Sequence, residues 1–250
     1  MRFRPSFTLS LILIMLASLF LWLGMWQLDR KAEKELLFER FATAPTLGLE
    51  QALADEHEFA RVEAFGRYDT TRHLLVDNRI WNGRAGVHVL TPFQLTDGRW
   101  LLVNRGWLPL PPDRSSLPDV PTEPAARTIH GRLTAPLAAG PRLGDPDVLV
   151  SDRWPQLLTY FDLDSASTAL GNALQPWIVQ LGADDPSGFG DRQWSPAVME
   201  PAVHGAYAFQ WMALAATSLI IWALLGLRRG RLLALQSGGQ ETAEPGDEET

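Results

Sequence analysis

From Phe7 to Trp26 the chain carries no charged side chain, reading FTLSLILIMLASLFLWLGMW. A helix of about 20 residues, rising 1.5 Å per residue, matches a hydrocarbon core roughly 30 Å thick, so this stretch reads as a transmembrane helix over 7–26. A cleaved signal peptide has a shorter apolar region followed by small residues, whereas here Leu21, Trp22, Leu23, Met25 and Trp26 run into Gln27 and Asp29. The expectation is an uncleaved anchor. A second uncharged stretch begins at His204 and stops at Arg228, Arg229 and Arg231, giving a second span over 206–227. Arg2 and Arg4 precede the first span. The positive-inside rule then makes segments 1–6 and 228–250 cytoplasmic and places 27–205, long enough for its own core, on the outer side. The first span starts so near Met1 that an Arg-rich presequence has no room, which favours a bacterial inner membrane and a periplasmic domain over a mitochondrial location.

Composition narrows the chemistry. The net charge is -7, and Glu241, Glu244, Asp247, Glu248 and Glu249 supply most of it. An acidic balance argues against nucleic acid as a partner. The acidic, Gly-containing run after Leu235 offers too little apolar surface to order itself and reads as a disordered tail. The chain has no cysteine, so disulfides, thiolate zinc sites, iron–sulfur clusters and cysteine nucleophiles are all excluded.

In the outer region, Arg30 to Phe41 has the apolar spacing of an amphipathic helix that could prolong the first span, and Pro45 ends it. LGLEQALADEHEF suggests another short helix ending near Glu56. Seven short runs then read as strands: 62–68, 73–77, 87–95, 99–108, 128–133, 158–163 and 177–181. Asn82-Gly83 and Asp97-Gly98 mark hairpin turns, DSASTALG a short helix, and the proline-rich run from Leu108 to Pro124 a surface loop. The expected fold is a membrane protein of α+β class, two transmembrane helices flanking a β-rich domain whose antiparallel sheet curls toward a barrel.

Catalytic signatures are missing: no GxSxG, HExxH, P-loop or GxGxxG occurs. Asp184-Asp185 and the pair Asp145 and Asp147 lie in Gly/Pro loops and read as solvated turns. His57, His73, His88 and His130 lack metal-ligand spacing and read as structural. Arg79, Arg84, Arg105 and Arg114 read as partners of the many acids before they read as anion ligands.

His204 differs in its position. It opens the second span, and helical spacing places Tyr207, Ala208 and Trp211 on its face. The antiparallel partner reaches the same boundary at Trp26 and Gln27, with Arg30 a turn further out. Imidazole for iron, aromatic faces for a macrocycle and a cation for carboxylates together suit haem. The same residue types also serve as ordinary interfacial anchors, and a lone helix-start histidine commonly bonds water or a carbonyl. Residue chemistry alone leaves both readings open.

Several separated motifs carry a family resemblance. Leu23-Gly24-Met25-Trp26-Gln27-Leu28-Asp29-Arg30 followed by Lys34 resembles the LGxWQxxR…K exit from the first span of the Surfeit-locus-one proteins. Gly66-Arg67-Tyr68, Val76-Asp77-Asn78-Arg79, Gly86-Val87-His88-Val89-Leu90-Thr91-Pro92 and Val103-Asn104-Arg105-Gly106-Trp107 resemble that family's strand motifs in order. His204-Gly205-Ala206-Tyr207-Ala208-Phe209-Gln210-Trp211 is similar to its HxxYAxQW entry to the second span. Met212 departs from the aromatic that commonly follows, as does the acidic tail.

The resemblance implies a cytochrome c oxidase assembly factor without enzymatic turnover, working in respiratory-chain biogenesis. It implies that haem a is bound as cargo with His204 as the iron ligand, and the helical spacing above puts Tyr207, Trp211, Trp26, Gln27 and Arg30 around it. The implied partners are oxidase subunit I, haem a synthase as a candidate donor, and membrane lipid. The rival reading is a membrane-anchored scaffold that stabilises an oxidase intermediate without a cofactor, through Asn104-Arg105-Gly106-Trp107.

Overall fold

The computed structural model describes residues 3–136, 147–190 and 192–240, with side chains as far as Leu235. Two compact units are present, one formed by residues 1–39 with 196–250 and the other by residues 40–195.

The first unit is a helix pair. Helix α1 runs unbroken from Phe7 to Thr43, well past the uncharged stretch, because nothing in RKAEKELLFERF opposes helix and lysine–glutamate pairs at i,i+4 such as Lys31–Glu35, 3.2 Å apart, support it. It ends just before Ala44-Pro45, since the residue preceding a proline is pushed out of the α region. The closing helix, α4, spans Pro201–Gln240; a proline suits the first helical turn, whose N–H has no partner in the helix in any case. Residues 236–240, read as part of a disordered tail, are helical, and the last ten residues, with Arg2 at the other end, lie outside the described residues.

The two helices pack antiparallel along a seam of small residues. Ala17 and Gly24 on α1, and Ala208, Ala215 and Ser218 on α4, are buried, spaced so that each helix presents one narrow stripe. Gly24 is a point of closest approach: a Cβ there would sit 3.1 Å from Met212 Cγ and 3.5 Å from the Ala208 carbonyl oxygen. The Phe20 and Trp211 rings stack at 5.8 Å, Trp222 Nε1 donates to Ser10 Oγ at 2.9 Å, and Arg4 N donates to the Gly226 carbonyl at 3.1 Å. Small residues permit this approach, and dispersion over the seam replaces the hydrophobic drive that lipid does not supply. Only 11% of the apolar segment of α1 and 17% of that of α4 is buried. Apolar side chains left this exposed need an apolar solvent, which makes the pair a membrane anchor.

The second unit is a barrel. Its strands are β1 (Arg61–Tyr68), β2 (Leu74–Trp81), β3 (Arg84–Leu95), β4 (Trp100–Pro109), β5 (Arg127–Thr134), β6 (Gln156–Leu158) and β7 (Leu174–Leu181). The sheet order β1-β5-β7-β4-β3 closes through a β1–β3 pairing, and β2 and β6 extend it beyond β3. Closure is a five-stranded Greek-key barrel, which leaves the barrel strands no free edge. The sheet is mixed where an antiparallel one was expected: β4–β7 and β2–β6 pair parallel, because β7 and β6 reach their partners by long connections instead of hairpins. The hairpin signals act as read, with Asn82 and Gly83 both at positive φ between β2 and β3, and Gly98 at φ +89° between β3 and β4.

Val62, Ala64, Phe93, Leu101, Val103, Ile129, Leu133, Val179 and Leu181 point into the barrel and are buried, and the short helix α2 (Leu49–Ala54) adds Ala52. Strand β4 is buried on both faces: Leu102 turns outward into a second cluster with Leu74, Leu90, Ile178 and the α3 residues Ala166 and Leu170. Helix α3 (Leu163–Leu170) is fixed by Asp162, whose carboxylate accepts from Ser165 N at 2.9 Å, and by Gly171 in the left-handed region at its end. The proline-rich loop lays Leu110 and Val120 over Leu75, Val87 and Val89.

His73, just ahead of β2, is 3% exposed and shares a hydrogen bond between Nδ1 and Thr91 Oγ1 at 3.1 Å. Burial, and next the nearby Arg105 charge, pull its imidazole down to about 4 from the ordinary 6.5. The folded protein therefore holds a neutral ring that the unfolded chain protonates first. Stability present above pH 6.5 is lost as the pH falls toward 4, by on the order of 3 kcal/mol. A His73→Gln variant is expected to show a flatter stability profile over that window in denaturant titrations; an unchanged slope would assign the acid sensitivity elsewhere.

Candidate functional site

The helix pair brings His204 against α1. Its Nδ1 lies 2.8 Å from Gln27 Oε1, a bond between residues far apart in sequence. In a neutral ring with the amide oxygen as acceptor, Nδ1 carries the proton and Nε2 keeps its lone pair. That arrangement fixes the tautomer and the ring plane and leaves the other nitrogen as a ligand, as second-shell partners do at metal-bound histidines.

The rest of the expected constellation divides. Ala208 meets Gly24 and Trp211 stacks on Phe20, so the face of α4 below His204 is occupied by α1 itself. An open slot between the two helices, the arrangement read from helical spacing, is filled at this level by the Gly24–Ala208 contact. Tyr207 and Trp26 instead face outward, 46% and 42% exposed. Arg30 is engaged elsewhere on α1: its NH1 bonds Glu33 Oε2 at 2.6 Å and its guanidinium lies 5.8 Å from the Trp26 ring. The cation beside the histidine turn is Lys31, whose side-chain carbons lie 3.4 and 3.6 Å from where a Gly205 Cβ would stand. Lys31 and Phe20 both escaped the sequence reading. Each follows from Gln27 at helical spacing, i+4 for Lys31 and i−7 for Phe20, once the pairing register is known.

In the barrel the strand motifs prove internal. Asn104, Arg105 and Trp107 are 1%, 2% and 4% exposed, so these side chains are not a docking surface for a scaffold. Arg105 donates to the Ser187 and Pro121 carbonyls and to Thr122 Oγ1, and its guanidinium lies between the Tyr68 and Phe189 rings at 4.7 and 4.4 Å. Burial pushes it down to about 10. Of the four arginines expected to pair with acids, Arg114 does, through Nε to Asp77 Oδ2 at 2.6 Å, while Arg105 takes neutral oxygens. Asp185 and Asp147 accept backbone N–H bonds from Ser187, Thr159 and Tyr160 and serve as turn caps; Asp145 lies outside the described residues.

Comparison with known proteins places this architecture. The model of the SURF1 family matches residues 14–216, which takes in α1 from its second turn, the whole barrel and the first half of α4. The chain belongs to the SURF1 family. A SURF1-like protein of Monosiga brevicollis is 29% identical over 238 residues, covering 86% of each chain. An uncharacterised SURF1-like protein of Mycobacterium bovis is 27% identical over 223 residues, covering 84% of this chain and 79% of its own. A SURF1-like protein of Rickettsia felis matches a shorter stretch of 103 residues at 26% identity, 39% of this chain and 45% of its own. The SURF1 family is associated with cytochrome oxidase assembly, and its members are assembly factors rather than catalysts. Both motif-bearing helix ends, with Gln27 and His204, fall inside the matched range.

Proposed function

We propose that this chain takes haem a as cargo at His204, on the outer side of a bacterial inner membrane, and assists its insertion into subunit I of a cytochrome c oxidase. The observation that carries the reading is the Gln27–His204 bond, which orients an imidazole at the mouth of the helix pair with one nitrogen left for iron. Haem supplies the iron that such a nitrogen ligates. Around it, Tyr207 and Trp26 offer exposed aromatic surface, and Lys31 offers a cation for a carboxylate.

A carrier must release what it holds. One strong axial ligand suits that need better than two, and the exposed flank of Tyr207 leaves a macrocycle accessible to a receiving subunit and to a donor such as haem a synthase. Arginines at one end of the pair, Arg4 beside Gly226 and Arg228 and Arg229 a half-turn beyond it, support cytoplasmic termini and a periplasmic barrel. The test is an absorption spectrum of full-length protein purified in mild detergent from cells that make haem a. A haem a spectrum is the expected result; colourless protein that still rescues oxidase assembly would replace the carrier by a scaffold.

A further inference from the structure

The outer face of the β1–β5–β7 ladder carries an arrangement that stability alone disfavours. In the antiparallel register of β1 and β5, Arg61 stands directly opposite Arg132, and one rung on Glu63 stands opposite His130, with Nε2 and Oε2 3.3 Å apart. Like charges directly opposite on one sheet face are destabilising. Arg132 NH1 is held by the Phe41 and Phe59 carbonyls at 2.6 and 3.0 Å, and its guanidinium lies 3.9 Å from the Phe41 ring. Burial, and then the Arg61 charge, push Arg132 below the usual arginine range. Arg61 itself has neither a hydrogen-bond nor an ion-pair partner for its side chain among the described residues.

These two line a groove of about 580 Å³. A third guanidinium, Arg192, reaches it held by the Gly182 and Asp185 carbonyls at 2.8 and 2.6 Å, its buried Nε without a partner among the described residues. Phe41 and Trp194 give the groove apolar walls, and the acids in it are Glu63 and Asp184. Neutral carbonyls hold two of the three arginines in place, with no ion pair to either among the described residues, which is the preorganisation an anion site needs. A site that breaks the local rule of opposite-charge pairing marks a functional position. The volume is that of a small-molecule pocket.

We propose that this groove binds an anionic amphiphile, its carboxylate or phosphate bridging Arg61 and Arg132 and its apolar body lying along Phe41 and Trp194. The proposal does not rest on the haem reading.

The test uses full-length protein in discs of neutral phosphatidylcholine, titrated calorimetrically at low salt with octyl phosphate, octanoate and inorganic phosphate. The wild type is expected to bind at least one octyl ligand, and inorganic phosphate more weakly for want of an apolar body. Tighter octyl phosphate binding points to a phospholipid headgroup, and tighter octanoate binding to a carboxylated cargo. Arg61→Gln should weaken binding about tenfold by removing one charge-assisted contact. Arg61→Glu should abolish it while keeping or raising Tm, because the new carboxylate pairs with Arg132. That combination separates a binding role from a structural one. His204→Ala should leave this binding unchanged. Equal binding by wild type and both Arg61 variants, or no binding of either octyl ligand, overturns the proposal; inorganic phosphate binding as tightly as octyl phosphate overturns the apolar contact.

Discussion

Protein carrying His204→Ala is expected to purify without haem a, while wild-type protein from the same cells retains it. The substitution removes the proposed iron ligand and leaves the helix pair intact, because the Gly24–Ala208 approach and the Phe20–Trp211 stack hold the register on their own. Helical content and melting temperature should therefore stay close to wild type, so that loss of haem reports on ligation and not on folding. Gln27→Ala supplies the graded companion. It keeps the imidazole but frees its ring, and loss of such an outer partner typically weakens metal binding about 10- to 100-fold. Haem content that falls in the order wild type, Gln27→Ala, His204→Ala supports the arrangement described. Unchanged content in His204→Ala would remove that residue as ligand, and unchanged content in Gln27→Ala alone would reduce the 2.8 Å bond to a packing detail.

Gly106→Ala is expected to be the most damaging single methyl in the barrel. Gly106 has φ +107°, a region that side chains strongly disfavour, and a Cβ there would collide with the Phe189 carbonyl. The affected segment matters, because Phe189 N bonds the Arg105 carbonyl at 2.6 Å and its ring covers the Arg105 guanidinium. Displacing it exposes a buried cation that has no carboxylate partner among the described residues. Strain and lost contacts together should cost about 3–5 kcal/mol, roughly 10 °C in melting temperature for a domain of this size. Gly98→Ala is the control: its φ is +89°, but nothing lies within 4 Å of the added methyl. It should cost only the conformational term, about 1–2 kcal/mol. Equal losses in the two variants would show that the Phe189 contact contributes little.

The anchor helices were legible because a run of uncharged residues has few other places to go. Six of the seven strands were placed within a few residues, since alternation such as the buried and exposed pattern of Arg61–Tyr68 is written in a single strand; the run read at 158–163 shares only Leu158 with β6, because Asp162 caps α3 and Leu163 begins it. Helix ends were partly legible: the amphipathic spacing after Arg30 and the stop at Pro45 marked how far α1 runs, whereas α4 continues past Leu235, where the apolar pattern has already ended.

The candidate site was half legible. His204, Tyr207 and Trp211 share a face by simple periodicity, and Gln27 was named at the right boundary. Which residue of α1 touches His204, and that Lys31 and not Arg30 stands beside its turn, depends on helix register, a property of two surfaces meeting. The parallel β4–β7 pair, the burial of Arg105 and the facing of Arg61 on Arg132 arise in the same way, from pairings between strands far apart in the chain. The sequence by itself determined which segments are apolar, which are extended and where the chain turns, because those follow from each residue and its near neighbours. Only the tertiary structure decided which charges face each other and which side chains lose water, because those depend on contacts across the closed barrel and the helix seam.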